Sequence, residues 1–142
     1  NWAPAKIFMG DVGSCTIGFL FGLLSLYMEK MGIISIAVWL VLLSPFIVDS
    51  TFTLLKRIIN KEKWYTAHNM HAFQKLYQSG LAHNKLAIGL LVMNITIVWP
   101  IAWLAHVYKN LEWILLVSLY GIIGIIWLIV QSKCKQTKTI LS

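Results

Sequence analysis

Charged residues, and acidic residues above all, are scarce in this chain of 142 residues. Only 12% of the residues are charged and five are acidic, whereas 58% are apolar; a soluble domain has about 25% charged residues. A composition this apolar excludes intrinsic disorder, which requires low hydrophobicity. The only two cysteines, Cys15 and Cys134, are too few and too far apart in sequence for a disulfide scaffold.

The charge that is present is mostly basic, with a formal net charge of +7 and a sequence pI of about 9.6. A basic nucleic-acid module has such a pI, but charges this sparse between apolar runs are more typical of the positive loops of a membrane protein. The mean hydropathy of +0.74 also favours lipid over water as the surroundings. We therefore expect membrane lipid, and no nucleic acid, as a partner.

Four apolar stretches approach or reach the roughly 20 residues that a membrane-spanning helix needs. They run over residues 12–28, 31–55, 86–106 and 113–131. The first is short and qualifies only if its helix begins near Val12. The stretches predict an all-α fold, a polytopic transmembrane helix bundle of about four spans in a single region over residues 1–142. Residues 56–85 are expected to form a long loop.

The basic residues predict the orientation of these spans. If the four spans alternate, ten of the twelve Lys and Arg residues lie on one side, and only Lys30 and Lys109 lie on the other. By the positive-inside rule, the ten mark the cytoplasmic side. The N-terminus, the 56–85 loop and the C-terminus are therefore predicted to face the cytoplasm. The ten are Lys6, Lys56, Arg57, Lys61, Lys63, Lys75, Lys85, Lys133, Lys135 and Lys138.

Asp11 stands in the segment Phe8-Met9-Gly10-Asp11-Val12-Gly13-Ser14, immediately before an apolar helix. One interpretation is structural, because Asp11, Gly13 or Ser14 could cap that helix. The other is a metal or phosphate site, since the amides and dipole of a helix N-terminus favour anions. Magnesium typically uses one or two carboxylates and completes its shell with water and phosphate oxygens. The spacing alone leaves both interpretations open.

Asp49 lies near the end of the second apolar stretch, about 10 Å along a helix from Lys56. An ionisable group at such a depth is costly and usually faces the interior of a bundle or a wet cavity. A structural ion pair with a basic residue on another helix is the alternative. Pro45, one turn earlier, can bend the helix and free a backbone carbonyl.

Two histidines stand in the basic 56–85 loop, which is much longer than an ordinary connection. His68 and His71 are three positions apart, so that on a helix they share one face. Zinc binding is weakly supported, because no cysteine or carboxylate follows at ligand spacing. A polyanionic substrate suits two histidines beside Arg57 and Lys75 better, although a bare pair of this spacing is often incidental.

These segments together resemble a known family. The stretch from Asn1 to Ser14, NWAPAKIFMGDVGS, is similar to the signature of the bacterial polyprenyl-phosphate N-acetylhexosamine-1-phosphate transferases. These membrane enzymes are related to the phospho-N-acetylmuramoyl-pentapeptide transferase. The segment AHNMHAFQ, which contains His68 and His71, resembles the family's cytoplasmic histidine loop in members that initiate O-antigen and related surface polysaccharides.

The resemblance implies transfer of a sugar 1-phosphate from a UDP-N-acetylhexosamine to undecaprenyl phosphate at the cytoplasmic face of the bacterial inner membrane. It implies Mg²⁺, with Mn²⁺ as the alternative, bound by Asp11, and a catalytic set of Asp11, His68 and His71. The residues that it assigns to substrate binding are Asn1, Gly13, Ser14, Arg57 and Lys75. A second copy of the chain, forming a homodimer, is left open as a partner.

One departure from the family pattern concerns its paired aspartates on an upstream loop, because no two acidic residues are adjacent in these 142 positions. Four spans are also fewer than the family's usual ten or eleven. We therefore expect the chain to be a C-terminal part of a larger enzyme, inactive on its own. The alternative is a non-enzymatic structural or assembly protein of the membrane, or a degenerate paralogue.

Overall fold

The computed structural model describes residues 10–61, 76–77 and 80–140, with the backbone alone for Asp11 and residues 133–140. Its elements in this part of the chain are all helical, which confirms the all-α prediction. The α-helices are α1 (Gly10–Lys30), α2 (Ile36–Leu42), α3 (Ser44–Ile59), α4 (His83–Met93), α5 (Trp99–Val107) and α6 (Glu112–Ile140). A π-helical segment, Asn94–Val98, joins α4 to α5, and a 3₁₀ turn, Lys109–Leu111, precedes α6.

Three of these helical runs are long and apolar enough to cross a membrane: Val12–Lys30, His83–Val107 and Lys109–Ser132. The first begins at Val12, as the short N-terminal stretch requires. On length and composition alone, the pair formed by α2 and α3 is either a broken fourth span or a re-entrant loop.

A glycine ends α1. Gly32 has a φ of +68°, and its N–H donates to the Glu29 carbonyl at 2.9 Å while the N–H of Ile33 donates to that of Met28 at 3.0 Å. This pair of bonds is the Schellman arrangement, which requires a left-handed residue that glycine adopts without strain. The chain can therefore reverse at once, and the Glu29 carboxylate accepts a hydrogen bond from the Ile36 N–H at the start of α2 at 2.5 Å.

The second apolar stretch differs from the prediction, because it is not one helix over residues 31–55. It begins at Ile36 and breaks at Leu43, where α2 and α3 meet at an angle of 74°. Pro45 stands in the first turn of α3, and a proline there lacks an N–H and clashes with the carbonyl four residues earlier. The Tyr120 hydroxyl donates to the carbonyl of Leu40 at 3.2 Å, in the last turn of α2, where carbonyls lack a continuing helix.

The bent pair nevertheless advances in the same direction as α6. Ser35, the N-cap of α2, donates to the Glu112 carboxylate at 2.6 Å, and Lys56, near the end of α3, donates to Gln131 at 3.0 Å. Positions 112 and 131 are 19 residues apart, or about 29 Å along a helix. This distance matches the roughly 30 Å of a bilayer's hydrocarbon core. We therefore count α2 and α3 together as a broken fourth span.

The third span is also irregular, at its centre. Pro100 follows the π-helical segment, and such a segment is a common accommodation of a proline in a long helix. The Asn94 amide donates to the Leu90 carbonyl and the Thr96 hydroxyl to that of Val92, both at 2.8 Å. These side chains satisfy backbone carbonyls in a region that offers no water.

The apolar core lies between α2, α5 and α6. The buried residues of this cluster are Val38, Val41, Val98, Ala102, Ala105, Leu116 and Leu119. Alanines on α5 allow the backbones to approach closely, as small residues do in membrane bundles. By contrast α1 contacts α2, with the rings of Phe21 and Trp39 6.2 Å apart, and most of its other side chains are exposed.

The replacement Leu119→Ala is expected to destabilise the full-length protein by about 2 kcal/mol, at the low end of the range for buried leucines in soluble proteins. Lipid is as apolar as the interior, so that mainly packing contacts are lost. Leu119 is fully buried, whereas Val117 on the same helix is 70% exposed. Unfolding by SDS titration from mixed micelles should therefore separate Leu119→Ala from its control, Val117→Ala. Equal effects would contradict the position of the core.

Candidate functional site

Polar side chains concentrate where the second half of α3 packs against α6. From α3 come Asp49, Thr53, Lys56 and Arg57, with Asn60 at its C-cap, and from α6 come Trp127 and Gln131. We call this region the Lys56 end of the bundle, and the opposite region, where Ser35 meets Glu112, the Glu112 end. Polar groups between two otherwise apolar helices are costly without partners, so their contacts indicate what holds them there.

The Asp49 carboxylate is held from the neighbouring helix. Its Oδ1 accepts a hydrogen bond from the indole Nε1 of Trp127 at 2.9 Å, and the Thr53 hydroxyl lies 3.5 Å from the same oxygen. Trp127 is only 5% exposed. Both of these donors are uncharged. The carboxylate thus joins the middle of α3 to α6.

Close packing surrounds this hydrogen bond. The rings of Phe52 and Trp127 meet edge to face, with their centroids 5.7 Å apart. A Cβ placed on Gly124 would lie 2.5 Å from Cε2 of Phe52. Gly124 is therefore the position at which α6 admits the ring of Phe52, and a side chain there would displace it.

Basic groups follow one turn further along α3. The Nζ of Lys56 donates to the Gln131 Oε1 at 3.0 Å and lies 5.6 Å from the ring centroid of Trp127, a cation–π distance. Arg57 is buried to a degree unusual for arginine, with 9% of its surface exposed. Two basic residues therefore lie near the end of α3, and Lys56 is held by its contacts with α6.

An open groove of about 440 Å³ runs between the two helices here. Its walls are mostly apolar, and its polar lining consists of Lys56, Asn60, Gln131 and Ser132. The apolar wall residues are Phe52, Leu55, Ile59, Trp127 and Leu128. A surface of this kind can hold a hydrocarbon chain along the walls and an anionic head group near Lys56.

The other candidate residues with described positions lie in the first turn of α1. Gly13 and Ser14 belong to this turn, together with the backbone of Asp11, and Gly10 begins the helix with a φ of +68°. Since α1 ends beside the start of α2, its first turn lies about 24 Å back along the helix from Glu29. If α1 crosses the membrane, as its length and apolarity allow, Gly13 and Ser14 lie on the side opposite Glu29.

The remaining candidates fall outside the described part of the chain. These are Asn1, His68, His71 and Lys75, and for Asp11 also the side chain. Among the side chains that the structure describes, no three of His, Cys, Asp or Glu lie close enough to hold a metal ion. The assignment of Asn1, Asp11, His68, His71 and Lys75 as catalytic, substrate-binding or metal-binding residues stays a prediction.

The segment just before α4 is described only at its last turn. The N–H of Leu81 donates to the Leu76 carbonyl at 3.3 Å, and that of Gly80 to the Tyr77 carbonyl at 3.1 Å. With Gly80 at a φ of +97°, this is a second Schellman turn. The ring of Tyr77 then meets that of His83 edge to face at 6.3 Å. A defined turn therefore leads the chain into α4.

Sequence reasoning singled out Asp49 but missed its partners on α6. Trp127 and Gln131 are four positions apart on one helical face, in an apolar span that offers few other hydrogen-bonding side chains. A tryptophan N–H and an amide inside a span each need a partner. The need of these two side chains for hydrogen-bond partners can be predicted from the sequence, although the identity of each partner cannot.

Two comparisons with known proteins give matches. Residues 1–29 match the model of the family described as Glycosyl transferase family 4. The chain is also 36% identical over 85 residues to a protein of Bacillus subtilis (strain 168) named "Probable undecaprenyl-phosphate N-acetylglucosaminyl 1-phosphate transferase". That match covers 58% of this chain and 24% of the relative, so the chain spans only about a quarter of that protein's length. No solved structure matches this chain.

Proposed function

Because residues 1–29 match the model of glycosyl transferase family 4 and the chain is 36% identical over 85 residues to a named relative, we propose that it is part of a larger enzyme of this family that transfers an N-acetylhexosamine 1-phosphate. The donor is a UDP-N-acetylhexosamine and the acceptor is undecaprenyl phosphate. The product initiates a bacterial surface polysaccharide such as O-antigen. The observation that carries the proposal is the match of residues 1–29, the segment that contains Asp11, Gly13 and Ser14.

The acceptor is supported by the groove at the Lys56 end. Undecaprenyl phosphate is an amphiphile with a long hydrocarbon tail and an anionic head. The groove has apolar walls, and Lys56 belongs to its polar lining. The tail can therefore lie against Phe52, Leu55 and Leu128. Lys56 then stands within reach of the phosphate. The Bacillus subtilis relative is itself named for undecaprenyl phosphate.

The donor is assigned to the first turn of α1. The sequence supplies one carboxylate, Asp11, and one hydroxyl, Ser14, at the start of this helix, and the amides of a helix N-terminus favour phosphate oxygens. One carboxylate beside phosphate oxygens is a donor set that fits Mg²⁺, or Mn²⁺ as the alternative. A bound divalent cation neutralises negative charge on the phosphates.

His68, His71, Arg57 and Lys75 complete the proposed site. Phosphoryl transfer depends mainly on positioning and on neutralising charge, and the two histidines are assigned to the diphosphate or the transferring phosphoryl group. If α1 and the bent pair both cross the membrane, Ser14 and Arg57 face the same side of it. We assign that side to the cytoplasm and the membrane to the bacterial inner membrane, because ten of the twelve basic residues fall on that side when the spans alternate.

The proposal is tested with membranes that contain the full-length protein. They are incubated with undecaprenyl phosphate and a series of UDP-sugars labelled in the sugar and in the β-phosphate. We expect UMP release and a labelled lipid with at least one UDP-N-acetylhexosamine, and none from membranes that carry only residues 1–142. No labelled lipid with any donor would contradict the proposal and favour the non-enzymatic alternative.

A further inference from the structure

Asp49 has two possible roles, and its depth in the bundle does not distinguish between them. A carboxylate inside a membrane span is a candidate reacting group, and Asp49 lies on α3, the half of the second span that leads to the Lys56 end. The alternative is that the carboxylate acts on the protein itself. The hydrogen bonds of its Oδ1 favour the second role.

The contacts of Asp49 lie along the packing face between α3 and α6. Its Oδ1 accepts from the indole of Trp127, which is almost fully buried. Phe52 and Lys56 contact the same tryptophan at 5.7 Å and 5.6 Å, measured to its ring centroid. Trp127 is therefore contacted from three successive turns of α3. The carboxylate oxygen that accepts this hydrogen bond therefore points toward α6.

The position of α3 needs such a restraint. Pro45 and the break at Leu43 remove the continuous helical hydrogen bonding that would otherwise set its direction. Beyond the break, α3 continues for 16 residues before it ends at Ile59, and Arg57 lies in its last turn. The contacts with α6 must supply the direction that the backbone does not.

We propose that Asp49 is a positioning residue, which through its hydrogen bond to Trp127 fixes α3 on α6 and so places Lys56 and Arg57 for an anionic substrate. The inference deepens the proposed function and rests on it for its effect on activity. The charge of Asp49 is not what the role requires. Any side chain that offers an oxygen acceptor at the same point holds the indole N–H.

The test compares four variants of the full-length protein: Asp49→Ala, Asp49→Asn, Trp127→Phe and the double variant Asp49→Ala/Trp127→Phe. We expect Asp49→Ala and Trp127→Phe each to lower kcat/KM about 10-fold to 100-fold, as small displacements of substrate-positioning groups do. The double variant should be no worse than either. Asp49→Asn should stay within about 3-fold of the wild type, because its amide oxygen still accepts from Trp127.

The result that would overturn the proposal is the opposite pattern. A carboxylate that binds metal or takes a proton is inactivated equally by Ala and by Asn, while Trp127→Phe leaves it unaffected. Additive losses in the double variant would also overturn the proposal. Trp113→Phe, at a tryptophan that is 55% exposed, is the control for the loss of an indole and should behave as the wild type.

A second measurement separates this proposal from the proposed function. If the wild-type protein transfers no sugar phosphate, the enzyme assignment fails, and the SDS-titration midpoints of the same variants still test the contact. We expect Asp49→Ala and Trp127→Phe to lower the midpoint by similar amounts, the double variant by no more, and Asp49→Asn by less. Midpoint shifts that add in the double variant would exclude the bond between the two side chains.

Discussion

Replacement of Asp11 by asparagine in the full-length protein is expected to lower sugar-1-phosphate transfer by about 100-fold to 1000-fold, without removing the protein from the membrane. The expected loss is of the size seen when one group that stabilises developing charge is removed from an active site. Asn keeps the shape of the side chain and its ability to cap α1, so that the structural interpretation predicts little change. The negative charge is lost, and with it the proposed interaction with the divalent cation.

The matched control for Asp11→Asn is Asp49→Asn, the same chemical change at the other aspartate of the chain. We expect near wild-type transfer from the control, for the reasons given above. Transfer is measured with labelled donor in membranes adjusted to equal protein by immunoblot. Turnover above about one tenth of the wild type in Asp11→Asn would assign Asp11 to helix capping, and loss in both variants would place a required charge at both positions.

Replacement of Gly124 by leucine is expected to destabilise the full-length protein by about 3 kcal/mol and to reduce transfer at least as much as Trp127→Phe does. Even a Cβ at this position lies 2.5 Å from the ring of Phe52, and overpacking of an interior typically costs 1–3 kcal/mol, occasionally more. The ring of Phe52 cannot yield without moving off Trp127. A separation of α3 from α6 then also disturbs the bonds of Asp49 and Lys56.

The control for Gly124→Leu stands one turn earlier on the same helix. A Cβ on Gly121 meets nothing within 4 Å, so Gly121→Leu changes helix propensity and apolarity by the same amount without the clash. SDS titration and the transfer assay are run on both variants. A control as damaging as Gly124→Leu would mean that the backbone freedom of glycine matters here, and would remove the contact with Phe52 as the cause.

The helical character and approximate span positions could be predicted from the sequence, because a bilayer imposes a simple length requirement on apolar helices. The second span was harder. Pro45 indicated a bend, but neither the angle of 74° nor the late start at Ile36 follows from a proline alone. Both depend on the Schellman turn at Gly32 and on what Tyr120 and Glu112 offer from a helix distant in sequence.

The residues of the candidate site also differ in whether they can be identified from the sequence. Asp11, Gly13 and Ser14 were identified because a short segment carries the whole pattern, and the structure places Gly13 and Ser14 in one helical turn. Trp127 was not identified, because its role depends on the face that α6 presents to α3. The hydrogen bond from Trp127 to Asp49 joins residues 78 positions apart. Local patterns do not contain such pairings.

Because α2 and α3 meet at a bend, a small rotation at the bend displaces the far end of α3 much more than its near end. The helix extends about 24 Å from its first residue to its last, so a rotation of only about 10° at Leu43 would move the far end by roughly 4 Å. A hydrogen bond tolerates a few tenths of an ångström before it weakens. The Lys56 bond to Gln131 near the tip is therefore about twice as sensitive to the bend angle as the contacts at Asp49, because Lys56 is about twice as far from Leu43 along the helix. Substitutions at Leu43 or Pro45 should act on substrate affinity from a distance, through geometry alone.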